Sequence, residues 1–326
     1  LLEHKNILVI QTAFIGDAIL ASSVLEKLHL FYPQARLTIL VRKGNEALYA
    51  GHPFLHEVLV WNKKEGKYKS LMQLLKVIRN RRFDTVINLH RFASSGFLTA
   101  FSKAPYTSGY NKNPFSFLFN HKSPHRIGDG RHEVERYNDL IQPITDKTVA
   151  KPRLYPSFKQ FTKIEPYVQQ PFICMAPSSV WFTKQLPKEK WVELCNAVPS
   201  GKTIYLLGGP GDKDLCEEIK AQSTHAAIRI LAGELSLLES CELMKHATMN
   251  YVNDSGPLHL ASSVNAPVTA FFCSTVPAYG FFPLSAKSEV IEVKDLYCKP
   301  CGLHGYKACP EGHFRCGREI VLPLPQ

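Results

Sequence analysis

Residues able to do chemistry gather in this chain where an apolar run gives way to a helix. The fullest group is Asp254, Ser255, Gly256, Pro257 and His259, which follow the run Asn250–Asn253. Their order is that of a buried strand ending, a tight turn and a helix starting. Asp254 or Ser255 suits the helix cap, Gly256 lets backbone approach a ligand, and Pro257 suits the first helical turn. The unpaired N–H groups of such a start, backed by the helix dipole, suit a phosphate. A capped helix without a ligand uses the same residues, so the segment alone leaves both readings open.

Three further groups share that setting. Gly16-Asp17 follows the apolar run Asn6–Ile10; a carboxylate there serves as a base or merely settles the dipole of a helix start. Ser179, Thr183 and Lys184 follow Phe172–Ala176, and a lysine at a strand end either binds a diphosphate as a point charge or is an ordinary surface lysine. Gly208-Gly209-Pro210-Gly211-Asp212 follows Thr203–Leu207. Its spacing is wrong for the Gly-x-Gly-x-x-Gly dinucleotide fingerprint, although Asp212 is placed to bind ribose hydroxyls.

The elements that must hold these groups read as alternating strands and helices. After Asn6–Ile10 come a helix with Ile19, Leu20, Val24, Leu25 and Leu28, and a strand Arg36–Val41. Next are Val58–Trp61, a basic stretch Lys63–Lys69, a helix over about Ser70–Arg79, and a strand Thr85–Leu89 that delivers His90 and Arg91. Ser94-Ser95-Gly96 opens another helix, and His132–Tyr137 begins a further one. Tyr106–Arg131 reads as a long functional loop. Asp146–Gln170, with Pro152, Pro156 and Pro166, reads as an interdomain connection. The second half repeats the pattern: Phe172–Ala176, Thr203–Leu207, Arg229–Gly233, a helix Leu235–His246, and a strand Val268–Cys273. The fold expected is α/β, two doubly wound, Rossmann-like domains with ligand crevices at the carboxyl ends of their strands.

Length and composition agree. The 326 residues suffice for two domains, and 45% hydrophobic with 21% charged residues is the balance of a soluble protein. No apolar run reaches the length of a membrane span, and Glu3, His4 and Lys5 argue against a signal peptide, so a cytoplasmic protein is expected. Net charge is +11, and residues 1–165 hold 25 Lys and Arg against 13 Asp and Glu, the remainder 14 against 15. A basic first half favours an acidic partner or is mere solubilising charge. No nucleic-acid motif is present, so no nucleic-acid partner is expected.

Nine cysteines without a secretion signal read mainly as thiols, Cys174 and Cys273 as small core residues. Cys298, Cys301, Cys309 and Cys316, with His304 and His313 nearby, have a spacing open to a structural zinc, to free thiols or, less in keeping with a reducing compartment, to disulfides.

Taken together, Gly16-Asp17, Thr183-Lys184-x-x-Pro187, Gly208-Gly-x-Gly-Asp212 and Asp254-Ser-Gly-x-x-His259 resemble glycosyltransferase family 9, the ADP-heptose:lipopolysaccharide heptosyltransferases. The Cys298–Cys316 tail looks most like the heptosyltransferase II branch. The resemblance implies a GT-B fold, with an acceptor domain over 1–160 and a donor domain with a Cys-rich tail over 161–326. It implies inverting transfer of heptose from ADP-heptose to the inner core of lipopolysaccharide at the inner face of the inner membrane, an anionic inner-leaflet surface being a further partner. Asp17 would be the general base and Lys184 would neutralise the departing diphosphate. Ser179, Thr183, Asp212, Leu235, Asp254, Ser255, Gly256 and His259 would bind the donor, and Thr12, His90, Arg91, Arg126 and Arg131 the acceptor. The resemblance implies no catalytic metal. Gln185-Leu186 departs from the family's aromatic or Arg position after the lysine, and a chain stopping at Gln326 implies a short or missing closing helix. The competing readings are a family-9 transferase of another nucleotide sugar, a non-catalytic sugar-nucleotide or glycan-binding protein, and, least favoured, a nicotinamide oxidoreductase.

Overall fold

A computed structural model describes residues 4–64 and 66–325. The chain divides into two compact units. One holds the residues up to Ile127 and Arg131–Tyr155; the other holds Gly128–Gly130 and the chain from Pro156 onward.

The first unit comprises β1 (Asn6–Gln11), α1 (Ile15–Phe31), β2 (Arg36–Arg42), β3 (Leu55–Trp61), α2 (Lys67–Arg81), β4 (Thr85–Asn88), α3 (Ala93–Ala100), β5 (Tyr106–Tyr110), β6 (His121–Ser123) and α4 (Glu133–Ile141). The strands pair in parallel in the order β3-β2-β1-β4-β5-β6. Uninterrupted apolar runs form the central strands because both sheet faces are covered, and Ile7 to Ile10 are all fully buried. On one face Leu71, Leu74, Leu75 and Ile78 of α2 pack with Leu98 of α3 over Leu8, Ile10 and Val86. The helical spacing in α1 puts Ile19, Leu20, Val24, Leu25 and Leu28 inside.

The expected loop over Tyr106–Arg131 instead contains β5 and the edge strand β6, the last two strands on that side of the sheet. Side chains rather than apolar alternation set them. The Asn120 carboxamide oxygen accepts from the Thr107 backbone N–H and hydroxyl at 2.8 and 2.9 Å. Gly109 leaves room for Phe119, whose ring lies 2.6 Å from where a Cβ would stand.

The second unit comprises α5 (Phe158–Ile164), β7 (Phe172–Ala176), α6 (Lys188–Ala197), β8 (Thr203–Leu206), α7 (Lys213–Gln222), β9 (Ile228–Ile230), α8 (Leu237–His246), β10 (Met249–Asn253), α9 (Gly256–Ser263), β11 (Val268–Phe272), β12 (Ser288–Glu292) and α10 (Arg315–Arg318). Its parallel sheet has the order β12-β11-β10-β7-β8-β9. Two elements here differ from the sequence expectation. The proline-bearing connection carries α5, started by a Ser157–Gln160 capping box. Helix α8 begins at Leu237, because Ser236 and Glu239 form a capping box that leaves Leu235 outside. Beyond β12 the tail folds back, and Phe314, Cys316 and Ile320 join the core around Trp191. Among the described residues no helix is long and apolar enough to cross a membrane.

In each sheet the strand order reverses once, between β1 and β4 and between β7 and β10. Such reversals open a crevice at the strands' carboxyl ends, where α/β proteins bind ligands.

Candidate functional site

In the first unit the crevice lies where β1 and β4 end. Asp17 is in the first turn of α1, partly exposed. The loop before it is braced by Gln11, whose Oε1 accepts from the Ala13 N–H at 3.1 Å and whose Nε2 donates to the Tyr137 hydroxyl at 2.8 Å. Burial pushes the Tyr137 phenol far above its usual range, and the Asp17 carboxylate is the next cause, which puts the two groups in electrical contact. Behind them Arg136 donates to Glu133 at 2.9 Å and His125 contacts the same carboxylate at 3.2 Å, a buried ion-pair network. Thr12, at the end of β1, lies 3.4 Å from the His90 ring, and Lys63 donates to the Thr12 carbonyl at 2.9 Å. Burial, then Lys63 and Arg91, lower the His90 pKa to about 4, so at neutral pH the ring is an uncharged hydrogen-bonding group.

The loop carrying His90 and Arg91 is locked by Asn113, whose amide donates to the carbonyls of His90 and Phe92. That lock requires Gly96, since a Cβ there would meet the Asn113 Oδ1 at 1.8 Å. Arg91 lies over the Phe92 ring. Arg126 is exposed. Arg131 stands apart: its guanidinium holds Asp139 through two bonds of 2.9 Å and also reaches Glu135, both on α4.

In the second unit the loops after β7, β10 and β11 converge. Lys184 Nζ lies 2.7 Å from Asp254 Oδ2, and the Thr275 hydroxyl donates to the same oxygen at 2.6 Å. Asp254 is nearly buried, so a carboxylate here requires these partners. Asn253 fixes the register of the two loops: its amide donates to the Pro177 and Ser178 carbonyls, and its Oδ1 accepts from the Leu186 N–H. Ser255 is the N-cap of α9 and makes no side-chain cap, which leaves the helix start open toward the crevice. Ser179 is half-buried at the same strand end.

Other expected donor residues have occupations of their own. The Asp212 carboxylate accepts from the Gly209 N–H at 2.7 Å and so closes its own turn. Leu235 is half-buried beside the start of α8. Thr183 is buried, and its hydroxyl both accepts from the Tyr306 N–H and donates to the Tyr306 carbonyl.

His259 is buried, and desolvation lowers its pKa to about 4 despite the Asp254 charge, with Lys184 adding to the lowering. A histidine with a folded pKa below the unfolded 6.5 binds its proton more weakly when folded. Its stability contribution is therefore whole above pH 6.5 and is lost as pH falls toward 4. Thermal unfolding between pH 7 and 4 should show a fall in Tm that is shallower in His259→Gln. An unchanged slope would contradict burial of a neutral imidazole.

All nine cysteines are free. Cys174 and Cys273 are core residues, as expected. Burial raises the Cys301 and Cys316 thiols, the latter to about 12, and their remaining causes include the other tail cysteines, so the four are neighbours. Among the described residues, however, no three His, Cys, Asp or Glu side chains are arranged to hold a metal ion.

Lys63, Gln11, Asn253 and Thr275 were not anticipated as site residues. A signal existed for Lys63 in the basic stretch after β3, and for Asn253 in a polar residue ending an apolar strand.

Residues 71–309 match glycosyltransferase family 9 (heptosyltransferase). The chain is 26% identical over 310 residues to the lipooligosaccharide heptosyltransferase 2 of Haemophilus influenzae, covering 88% of each chain. Among solved structures it is similar to the family 9 glycosyltransferase of Veillonella parvula, with TM-score 0.80, 22% identity, and 89% and 86% of the two chains covered. It is also similar to Escherichia coli ADP-heptose lps heptosyltransferase II, with TM-score 0.77, 22% identity, and coverage of 96% and 98%. The fold is that of these GT-B glycosyltransferases.

Proposed function

Because this chain belongs to glycosyltransferase family 9, the heptosyltransferases, we propose that it moves heptose from ADP-heptose to the inner core of lipopolysaccharide or lipooligosaccharide, with inversion at the anomeric carbon. The observation that carries this reading is the Lys184–Asp254 pair beside the open start of α9. An ammonium and helix-start amides together suit a diphosphate that must leave with its charge. In this reading Asp17 removes the proton from the attacking acceptor hydroxyl. Lys184, Ser255 and Gly256 stabilise the departing ADP, Asp254 and His259 contact the sugar, and Asp212, Ser179 and Leu235 receive the adenosine end. Inversion needs a single base beside the nucleophile, and a diphosphate leaves with positive charge rather than with an acid. Thermal shift with a panel of nucleotide sugars tests the donor: ADP-heptose should raise Tm more than UDP- or GDP-sugars, and the reverse order would sink the assignment.

The acceptor is read as sitting in the first unit, at Thr12, His90, Arg91 and Arg126, with Arg131 joining only by leaving Asp139. Between Asn62 and Lys122 there are twelve Lys and Arg against two acidic residues. That charge supports a phosphorylated core and an anionic inner-leaflet surface as partners, approached from the cytoplasm. Neutralising Arg91 and Arg126 should raise the acceptor KM by about tenfold, leave the donor KM alone and flatten the salt dependence. A fall in donor affinity instead would reverse the assignment of substrates to units.

No metal enters this chemistry. A structural zinc on Cys298, Cys301, Cys309 and Cys316 would require those thiols to draw together from the arrangement described. Protein purified without chelator is expected to carry less than about a tenth of an equivalent of zinc, whereas a full equivalent would show the thiols closing on the ion.

A further inference from the structure

The cysteine-bearing tail does more than cover the sheet. Three anchors hold it against the carboxyl ends of β7 and β11. The Lys299 side chain is 4% exposed and donates to the Phe272 and Val293 carbonyls and to Glu292. The Cys301 N–H donates to the Ser274 carbonyl at 2.8 Å. Tyr306 and Thr183 form a reciprocal pair, Thr183 N–H to Tyr306 carbonyl at 3.1 Å and Tyr306 N–H to Thr183 hydroxyl at 2.7 Å.

Between the last two anchors lies Gly305, with φ of +77°. A Cβ on Gly305 would stand 2.8 Å from Thr183 Oγ1, 3.1 Å from Lys184 Cγ and 3.1 Å from Ser274 Oγ. Only a glycine satisfies both that backbone conformation and that approach. The bare backbone of Gly305 therefore forms a wall along the stem of Lys184, while Asp254 holds its ammonium at the other end. A lysine is a flexible four-carbon chain, and a point charge contributes to leaving-group departure only if it is held in place.

We infer that Gly305 and Thr183 are positioning residues for the Lys184 ammonium, so that the tail is part of the donor machinery. The inference rests on the leaving-group role proposed for Lys184. It takes the hydroxyl of Thr183 away from direct donor contact and gives it to the tail.

Steady-state kinetics of Gly305→Ala, Thr183→Val, Thr183→Ser, Lys184→Ala and the double variant Gly305→Ala/Lys184→Ala test it. Gly305→Ala and Thr183→Val should each raise the donor KM and lower kcat by about tenfold, with the acceptor KM unchanged. Thr183→Ser, which keeps the hydroxyl, should stay within about twofold of the parent. The double variant should be no slower than Lys184→Ala alone, because both changes act through one ammonium. Gly305→Ala with parental kinetics overturns the inference, as does a double variant whose losses multiply. So does a Thr183→Val protein that loses only Tm. A parental Lys184→Ala overturns the reading of Lys184 itself and the inference with it; an impaired Lys184→Ala beside a parental Gly305→Ala overturns the inference alone.

Discussion

Asp17→Asn is expected to lower kcat by about a thousandfold or more while ADP binding stays within a few fold of the parent. The substitution keeps the shape of the side chain and removes its capacity to accept a proton at neutral pH. Asp17 stands at the strand reversal of the first unit, on a turn braced by Gln11 and Tyr137, so the amide should occupy the same place. ADP is assigned to the second unit, which has its own core and its own sheet, and its affinity should therefore be insensitive to the change. Single-turnover transfer with calorimetric titration of ADP separates the two quantities. An Asp17→Asn enzyme that transfers at the parental rate would remove the residue from the base role.

Lys184→Ala is expected to weaken donor binding by about tenfold and to slow turnover by about a hundredfold. The larger effect falls on turnover because the charge on the diphosphate grows as the glycosidic bond breaks. Asp254 adds a second consequence. Its nearly buried carboxylate would keep the Thr275 hydroxyl but lose the ammonium, so the variant should also unfold at a lower temperature. Kinetics and a melting curve on the same preparation check both. Unchanged kinetics with a lowered Tm would mean that the amides at the start of α9 hold the diphosphate and that Lys184 only balances Asp254.

The parts of this molecule legible in the sequence are those set by local physics. Ile7–Ile10 and Phe172–Ala176 are uninterrupted apolar runs, and both became central parallel strands. Asp17, Lys184 and Asp254 could be singled out because each follows such a run and precedes a helix. What could not be read depends on distant partners. Strands β5, β6 and β12 are short strands at or next to a sheet edge whose sequences lack apolar alternation, and β5 owes its place to Asn120 and Phe119. Thr183 looked like one more crevice residue until its partner proved to be Tyr306, 123 positions away. The partners of Arg131 are nearer, Glu135 and Asp139 of α4, but their pairing depends on how the chain enters that helix.

Heptose transfer from ADP-heptose to lipopolysaccharide core is the activity proposed for this chain. The most direct measurement is incubation of the purified protein with ADP-heptose and heptose-deficient core, followed by mass spectrometry of the glycolipid. The expected product is heavier by one heptosyl residue, formed with release of ADP and absent from the Asp17→Asn reaction. An acceptor whose mass is unchanged with ADP-heptose but grows with a different nucleotide sugar would contradict it.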